Sequence, residues 1–213
     1  DAVGNVLVGG NFSGTTTSLV GANLTSAGND DGYVANFNAS GVVQWAKAIG
    51  GGSQDTASSV CIDSSGSVLV VGNFQGVTTN LGAANLTSVG SNDGYVTKLN
   101  TAGVVQWAKQ VGGIGGDTAS TVSIDASGNV LVGGNFSGTT TTLASANLTS
   151  VGSNDCYIAR FAPANGNPLD ALAVGGSGHD SISGLALWGS EIYAWGSAGS
   201  TFAMGSTRVA KGN

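Results

Sequence analysis

The chain sets 37 glycines against only 6 Lys and Arg and 12 Asp and Glu in 213 residues, for a net charge of −6. Six scattered cations cannot line a row of phosphates or hold an anionic membrane surface, which argues against nucleic acid or lipid as a partner. No apolar run approaches the roughly 18 residues of a membrane span, so membrane insertion is not expected. Ser, Thr and Asn solvate the surface in place of charge, a composition that points to an extracellular or cell-surface setting.

The organising signal is an internal repeat. Gly10-Asn11-Phe12 returns as Gly72-Asn73-Phe74 and Gly134-Asn135-Phe136, each step 62 residues. Leu24-Thr25-Ser26, Tyr33 and Asp31 recur in that register, as Val43-Gln44-Trp45-Ala46-Lys47 does once. The period divides a single repeat domain, 1–213, into a partial unit (1–50), two full units (51–112 and 113–175) and a degenerate partial unit (176–213).

In chain order, residues 1–50 begin at the second strand of a unit. The second unit shows all four strand-like runs. Ala57 to Ile62 turns at Asp63-Ser64-Ser65-Gly66, and Val68 to Phe74 leads into a long polar loop, Gln75 to Asn92. Tyr95 to Leu99 then turns at Asn100-Thr101-Ala102-Gly103 into Val104 to Val111. Asp and Gly at these turns suit tight hairpins. The fourth unit keeps Leu185-Ala186-Leu187 and Ala194-Trp195-Gly196. Its polar segment shrinks to Gly199–Met204, and it stops near a third strand around Arg208-Val209-Ala210.

Four antiparallel strands in up-and-down order predict an all-β chain built as a β-propeller, with about three and a half blades here. Runs such as Val68-Leu69-Val70-Val71 are apolar on both sides, as a sheet covered on both faces requires. The alternative is a β-solenoid of parallel rungs, which has no use for two-strand hairpins. The first blade lacks its innermost strand and the last its outermost, so the unpaired blade edges invite self-association.

The repeated residues resemble the bacterial SBBP-type β-propeller repeat: Asp125-Ala126-Ser127-Gly128-Asn129-Val130, then Gly134-Asn135-Phe136, with Asp93-Gly94-Tyr95-Val96-Thr97-Lys98-Leu99 and Val105-Gln106-Trp107-Ala108-Lys109. The resemblance covers residues 1 to about 176. Asn36 stands where Lys98 and Arg160 fall in the other units, and Leu169 where Trp45 and Trp107 fall. It implies a large secreted or surface bacterial protein and no particular enzymatic activity.

Long segments all fall at one end of the predicted sheets, and binding is expected there. Asp31, Asp93 and Asp155, each two residues before Tyr33, Tyr95 and Tyr157, could bond sugar hydroxyls while the ring stacks. The alternative places each Asp in a turn and each Tyr between blades. Asp55, Asp117 and Asp180 could form a carboxylate ring for Ca²⁺, which takes oxygen ligands. The alternative is that each accepts N–H bonds from its own Gly-rich turn. No other cofactor is called for.

Trp45 and Trp107 suit packing between blades. Trp188 and Trp195 have no counterparts, so exposure of one is expected. Cys61 and Cys156 are expected free, because inner and outer strands of neighbouring blades do not bring two Cα atoms within reach of a disulfide. Sequons at Asn11, Asn23, Asn38, Asn85, Asn135 and Asn147 follow from composition. A single His179 and a single Glu191 give no paired catalytic groups, so an enzyme is the minority reading, a lyase or hydrolase at the channel mouth. The leading expectation is a non-catalytic binding or adhesion module for a glycan or protein. A structural subunit of a surface layer or filament is the second.

Overall fold

Four antiparallel sheets follow one another along the chain in the computed structural model, which describes residues 4–14, 17–19, 22–78, 81, 85–138, 141–143 and 146–199. The first unit runs β1 (Val6–Ser13), a short hairpin β2 (Thr17–Leu19) and β3 (Ala22–Leu24), then β4 (Asp30–Phe37) and β5 (Val43–Ile49). Its sheet has the order β1-β4-β5. The second comprises β6 (Ser59–Ile62), β7 (Val68–Phe74), β8 (Asp93–Leu99) and β9 (Val105–Val111), hydrogen-bonded in chain order. The third has β10 (Thr118–Ile124) and β11 (Val130–Phe136), a hairpin β12 (Thr141–Leu143) and β13 (Ala146–Leu148), then β14 (Asp155–Phe161) and β15 (Pro168–Val174). Its order is β10-β11-β14-β15. In the fourth, β16 (Asp180–Trp188) pairs with β17 (Glu191–Ala198). The expected third strand near Arg208-Val209-Ala210 and the shortened segment up to Met204 lie outside the described residues.

The predicted runs coincide with the strands apart from three starting points, the fourth run beginning at Val105 instead of Val104. The first run begins at Ser59 instead of Ala57, because Thr56 bonds Asn73 and Ser58 bonds Val71 through irregular backbone pairs that leave Ala57 off the ladder. The same irregularity shifts the register between Ala119 and Thr121. The third run begins at Asp93, which pairs with Phe74. In the first and third units the long segment carries a small hairpin, with Leu24, Leu143 and Leu148 buried on it; in the second, among the described residues, Val77 bridges Thr87 and Leu81 is buried.

All pairing between strands is antiparallel, and among the described residues parallel contact is confined to the single bridges Asn92↔Gly116 and Asn154↔His179. The rungs of a solenoid are therefore not what these strands form. At the short turns Asp63 Oδ1 accepts N–H bonds from Ser65 and Ser67, and Gly66 takes φ +81°, a left-handed value that a Cβ disfavours.

Successive sheets pack face to face. Val68 and Val70 of β7 join Val34 and Ile49 of the first sheet, while Leu69 and Val71 face Val122, Val130 and Val132 of the third. Leu131 then meets Ile182 and Leu185 of the fourth. The period-2 alternation of a strand sends neighbouring residues into two different cores, which is why β7 and β11 are apolar throughout. Trp45 Nε1 donates to Thr101 O (2.9 Å) and Trp107 Nε1 to Pro163 O (3.2 Å), so each indole caps the short turn of the next sheet as expected. In the third sheet the Trp position belongs to Asp170, which pairs with Arg160 as Trp107 pairs with Lys98, and not to Leu169 as the 62-residue step suggests, because the turn before β15 is one residue longer. Leu169 falls in the bulge and is half-exposed.

Candidate functional site

Antiparallel order brings the start of each third strand and the entry to the next first strand to the same end, the long-loop end. There the two series of aspartates, assigned by sequence to separate sites, meet in pairs at the joints between sheets. All six are buried: Asp31, Asp55, Asp93, Asp117, Asp155 and Asp180.

Each member holds a loop by the same bonds in every unit. Asp55 Oδ2 accepts from Gly51 N at 2.6 Å and Oδ1 from Gln75 N at 3.3 Å. Asp117 does so with Gly113 (2.6 Å) and Ser137 (3.2 Å), and Asp180 with Gly176 (2.7 Å) and Gly199 (3.2 Å). Each ties its glycine turn to the end of the second strand, the turn-capping role weighed above for the Ca²⁺ candidates. In the other series, Oδ2 of Asp31, Asp93 and Asp155 accepts from Ala27, Val89 and Val151, at 2.7, 2.8 and 2.8 Å. Their Oδ1 atoms are buried without a hydrogen-bond partner.

The joints are tight because glycine occupies them. A side chain on Gly50 would begin 2.5 Å from Asp31 Oδ1 and 3.0 Å from Asp55 Oδ2. On Gly112 it would begin 2.6 Å from Asp93 Oδ1 and 3.0 Å from the Asp117 Cβ, and on Gly175 2.5 Å from Asp155 Oδ1. Burial raises the carboxyls of Asp55 and Asp117 to about 6; the N–H bonds they accept oppose the shift, and the charge of Asp31 or Asp93 adds to it. Asp31 and Asp93 are also raised, chiefly by burial. The two ion pairs formed among the described residues, Lys98–Asp63 and Arg160–Asp170, lie at the opposite end. Among the described residues no three or more His, Cys, Asp or Glu side chains gather as a metal would require.

Tyr95 and Tyr157 are fully buried, and their hydroxyls donate to Thr56 O (2.9 Å) and Thr118 O (2.7 Å), at the entry to the first strand of the same sheet. They offer no ring face to a sugar and follow the packing alternative; Tyr33 is half-buried and meets Phe12 edge to face. The carboxylates of Asp31, Asp93 and Asp155 are likewise not presented to solvent. His179 stands at the start of β16, and Glu191 at the far end of that hairpin, where it accepts from the Tyr193 hydroxyl. These two side chains share no site. Cys61 and Cys156 are free, and burial pushes the thiols to about 12 and about 11. Trp188 and Trp195 are both exposed.

Two features escaped sequence reading. Asn11, Asn73 and Asn135 each accept a backbone N–H at or just before the next sheet's first strand, from Ala57 (3.0 Å), Ala119 (2.8 Å) and Ile182 (2.9 Å). The Gly-Asn-Phe repeat marked these positions without revealing the latch. The other feature is an apolar display on the long-loop end: Val89 and Val151, one period apart, are 65% and 76% exposed, and Ile114 between them 81%. The N–H groups of Val89 and Val151 are those held by Asp93 and Asp155.

These observations define an all-β chain of tandem antiparallel sheets with carboxylate-braced loops at one end. No protein-family profile matches the chain. It is 27% identical over 171 residues to the regulatory protein FlaEY of Caulobacter vibrioides, an alignment that takes in 78% of this chain and 18% of that protein. The chain thus spans less than a fifth of that relative's length. A crystal structure of a protein of unknown function from Bacteroides caccae aligns over 76% of this chain and 46% of its own, at 14% identity and a TM-score of 0.37.

Proposed function

We propose that the chain is a non-catalytic extracellular binding module, its sheets being consecutive blades of a β-propeller and its ligand, a glycan or a protein, being taken at the long-loop end. The observation that carries this reading is the pairing of display with bracing. Exposed Val89 and Val151 recur on loops whose backbone is clamped by buried aspartates. A surface held in place before its ligand arrives loses less entropy on binding. Recurrence at equivalent positions also suits weak contacts that add through multivalency. The propeller arrangement is supported by four-stranded up-and-down sheets stacked in chain order.

The test is a glycan array and a panel of candidate surface proteins, probed with the wild type and with V89S/V151S. Binding lost in the variant at an unchanged melting temperature supports the proposal. A ligand that binds both chains equally places its site elsewhere.

A structural role is the second reading. Among the described residues β1 is an edge strand of the first sheet and β17 of the fourth, and Trp188, Tyr193 and Trp195 are exposed beside the latter. Self-association through these edges predicts a mass that grows with concentration in light scattering.

A further inference from the structure

The mid-joint carboxylates have a chemistry that loop-clamping does not use. In each of the first two joints a buried carboxylate oxygen lacks any partner, Asp31 Oδ1 and Asp93 Oδ1, and a second aspartate borders the same glycine, Asp55 through its Oδ2 at Gly50 and Asp117 through its Cβ at Gly112. Every other polar atom of these side chains is engaged: Asp31 Oδ2 and Asp93 Oδ2 with loop N–H groups, and both oxygens of Asp55 and Asp117 with backbone N–H groups. An orphaned buried carboxylate oxygen beside a second negative charge is costly, and gaining a positive charge relieves both costs.

We propose that each of these joints is a proton-binding site, in which the aspartate opening the third strand of one sheet and the aspartate preceding the first strand of the next share one proton. The proton turns an orphaned acceptor into a donor and removes the repulsion within the pair. It therefore fastens one sheet to the next, and the sheets lock more firmly as the surroundings acidify.

The groups around each pair leave the proton as the available counter-charge. At the first joint Asp30 adds a third negative charge beside Asp31, and the buried Tyr95 phenol lies toward Asp55. At the second, Gln110 Nε2 donates to Asp93 Oδ2 (2.5 Å), and the buried Tyr157 phenol lies toward Asp117. Lys47 and Lys109, on the fourth strands, stand opposite Val34 and Val96 and form no ion pair with these carboxylates. The raised carboxyls of Asp55 and Asp117 agree with this arrangement. The third joint repeats the orphaned oxygen at Asp155 Oδ1.

The sign follows from linkage. A carboxyl raised in the folded state binds more protons there than in the unfolded chain between about pH 4 and about pH 6. Stability therefore rises as pH falls through that window and is lost as pH climbs past the raised value.

The decisive measurement is a carbon-detected NMR titration of the Asp side-chain carboxyls in the wild type and in D31N/D93N. Sharing predicts coupled two-step curves for Asp55 and Asp117 in the wild type, and midpoints lower by about one pH unit in the variant. Unchanged midpoints overturn it, because burial alone then accounts for the shift. Should the double variant fail to fold, the single variants D31N and D93N are titrated in its place. The wild-type melting temperature serves as a check that can only refute, since burial alone also raises it. It is expected to rise by about 5 °C between about pH 7.5 and about pH 5, and a flat or falling profile overturns the proposal. CaCl₂ is added at about pH 7.5 as a further arm. If it moves the same carboxyl resonances and raises the melting temperature, the joints bind a metal ion and proton sharing is refuted.

Discussion

Replacing Gly72 with Ala tests whether the entry to the first strand is wedged against the second strand of its sheet. A Cβ at this position would begin 2.8 Å from both the Thr56 carbonyl carbon and the Tyr95 hydroxyl, with the Thr56 oxygen closer still. That oxygen accepts the Tyr95 hydroxyl, and Thr56 exchanges backbone bonds with Asn73. The strand entry must move, so two or three hydrogen bonds of about 1 kcal/mol each weaken. Overpacking adds about 1–3 kcal/mol, and the lower chain entropy of Ala gives back less than about 1 kcal/mol.

A net loss of about 3 kcal/mol lowers the melting temperature of a chain this size by roughly 6–12 °C. The control is Gly10→Ala, the same repeat position in the sheet where no first strand is formed among the described residues. There the three atoms nearest the new Cβ all belong to the far end of the Tyr33 side chain, at 2.9–3.2 Å, which can swing. Its expected cost is under about 1 kcal/mol. Both are read by circular-dichroism melts. If the two substitutions cost the same, or Gly72→Ala is silent, the wedge is wrong.

Asn135→Ala should leave the Ile182 N–H at the third joint without an acceptor, costing about 1–3 kcal/mol. Hydrogen exchange at Ile182 should then accelerate selectively, and uniform acceleration would deny Asn135 a local latching role. Cys61 and Cys156 should resist a thiol reagent in the native protein at about pH 8, because burial holds both thiols protonated, and both should titrate after denaturation. One reactive thiol per native chain would contradict the burial of at least one of them.

Strand order and approximate position are readable from the residue pattern alone. A hairpin turn is a local matter: Asp63 and Asn100 bond their own next residues, and the runs between turns alternate between two cores, so the 62-residue pattern is enough to place β6 to β9. Packing of Trp45 and Trp107 between units was legible from their recurrence in register, while the turn each indole caps emerged only from the structure. Which residues of different units meet depends on how the sheets pack. Asp31 and Asp55 are 24 positions apart and belong to different sheets, so no local pattern pairs them. The buried tyrosines illustrate the same limit. An aromatic beside an Asp-rich loop has the same sequence signature whether it faces a ligand or the neighbouring sheet. Face-to-face packing of successive sheets settles it, turning apparent surface groups into buried donors and acceptors.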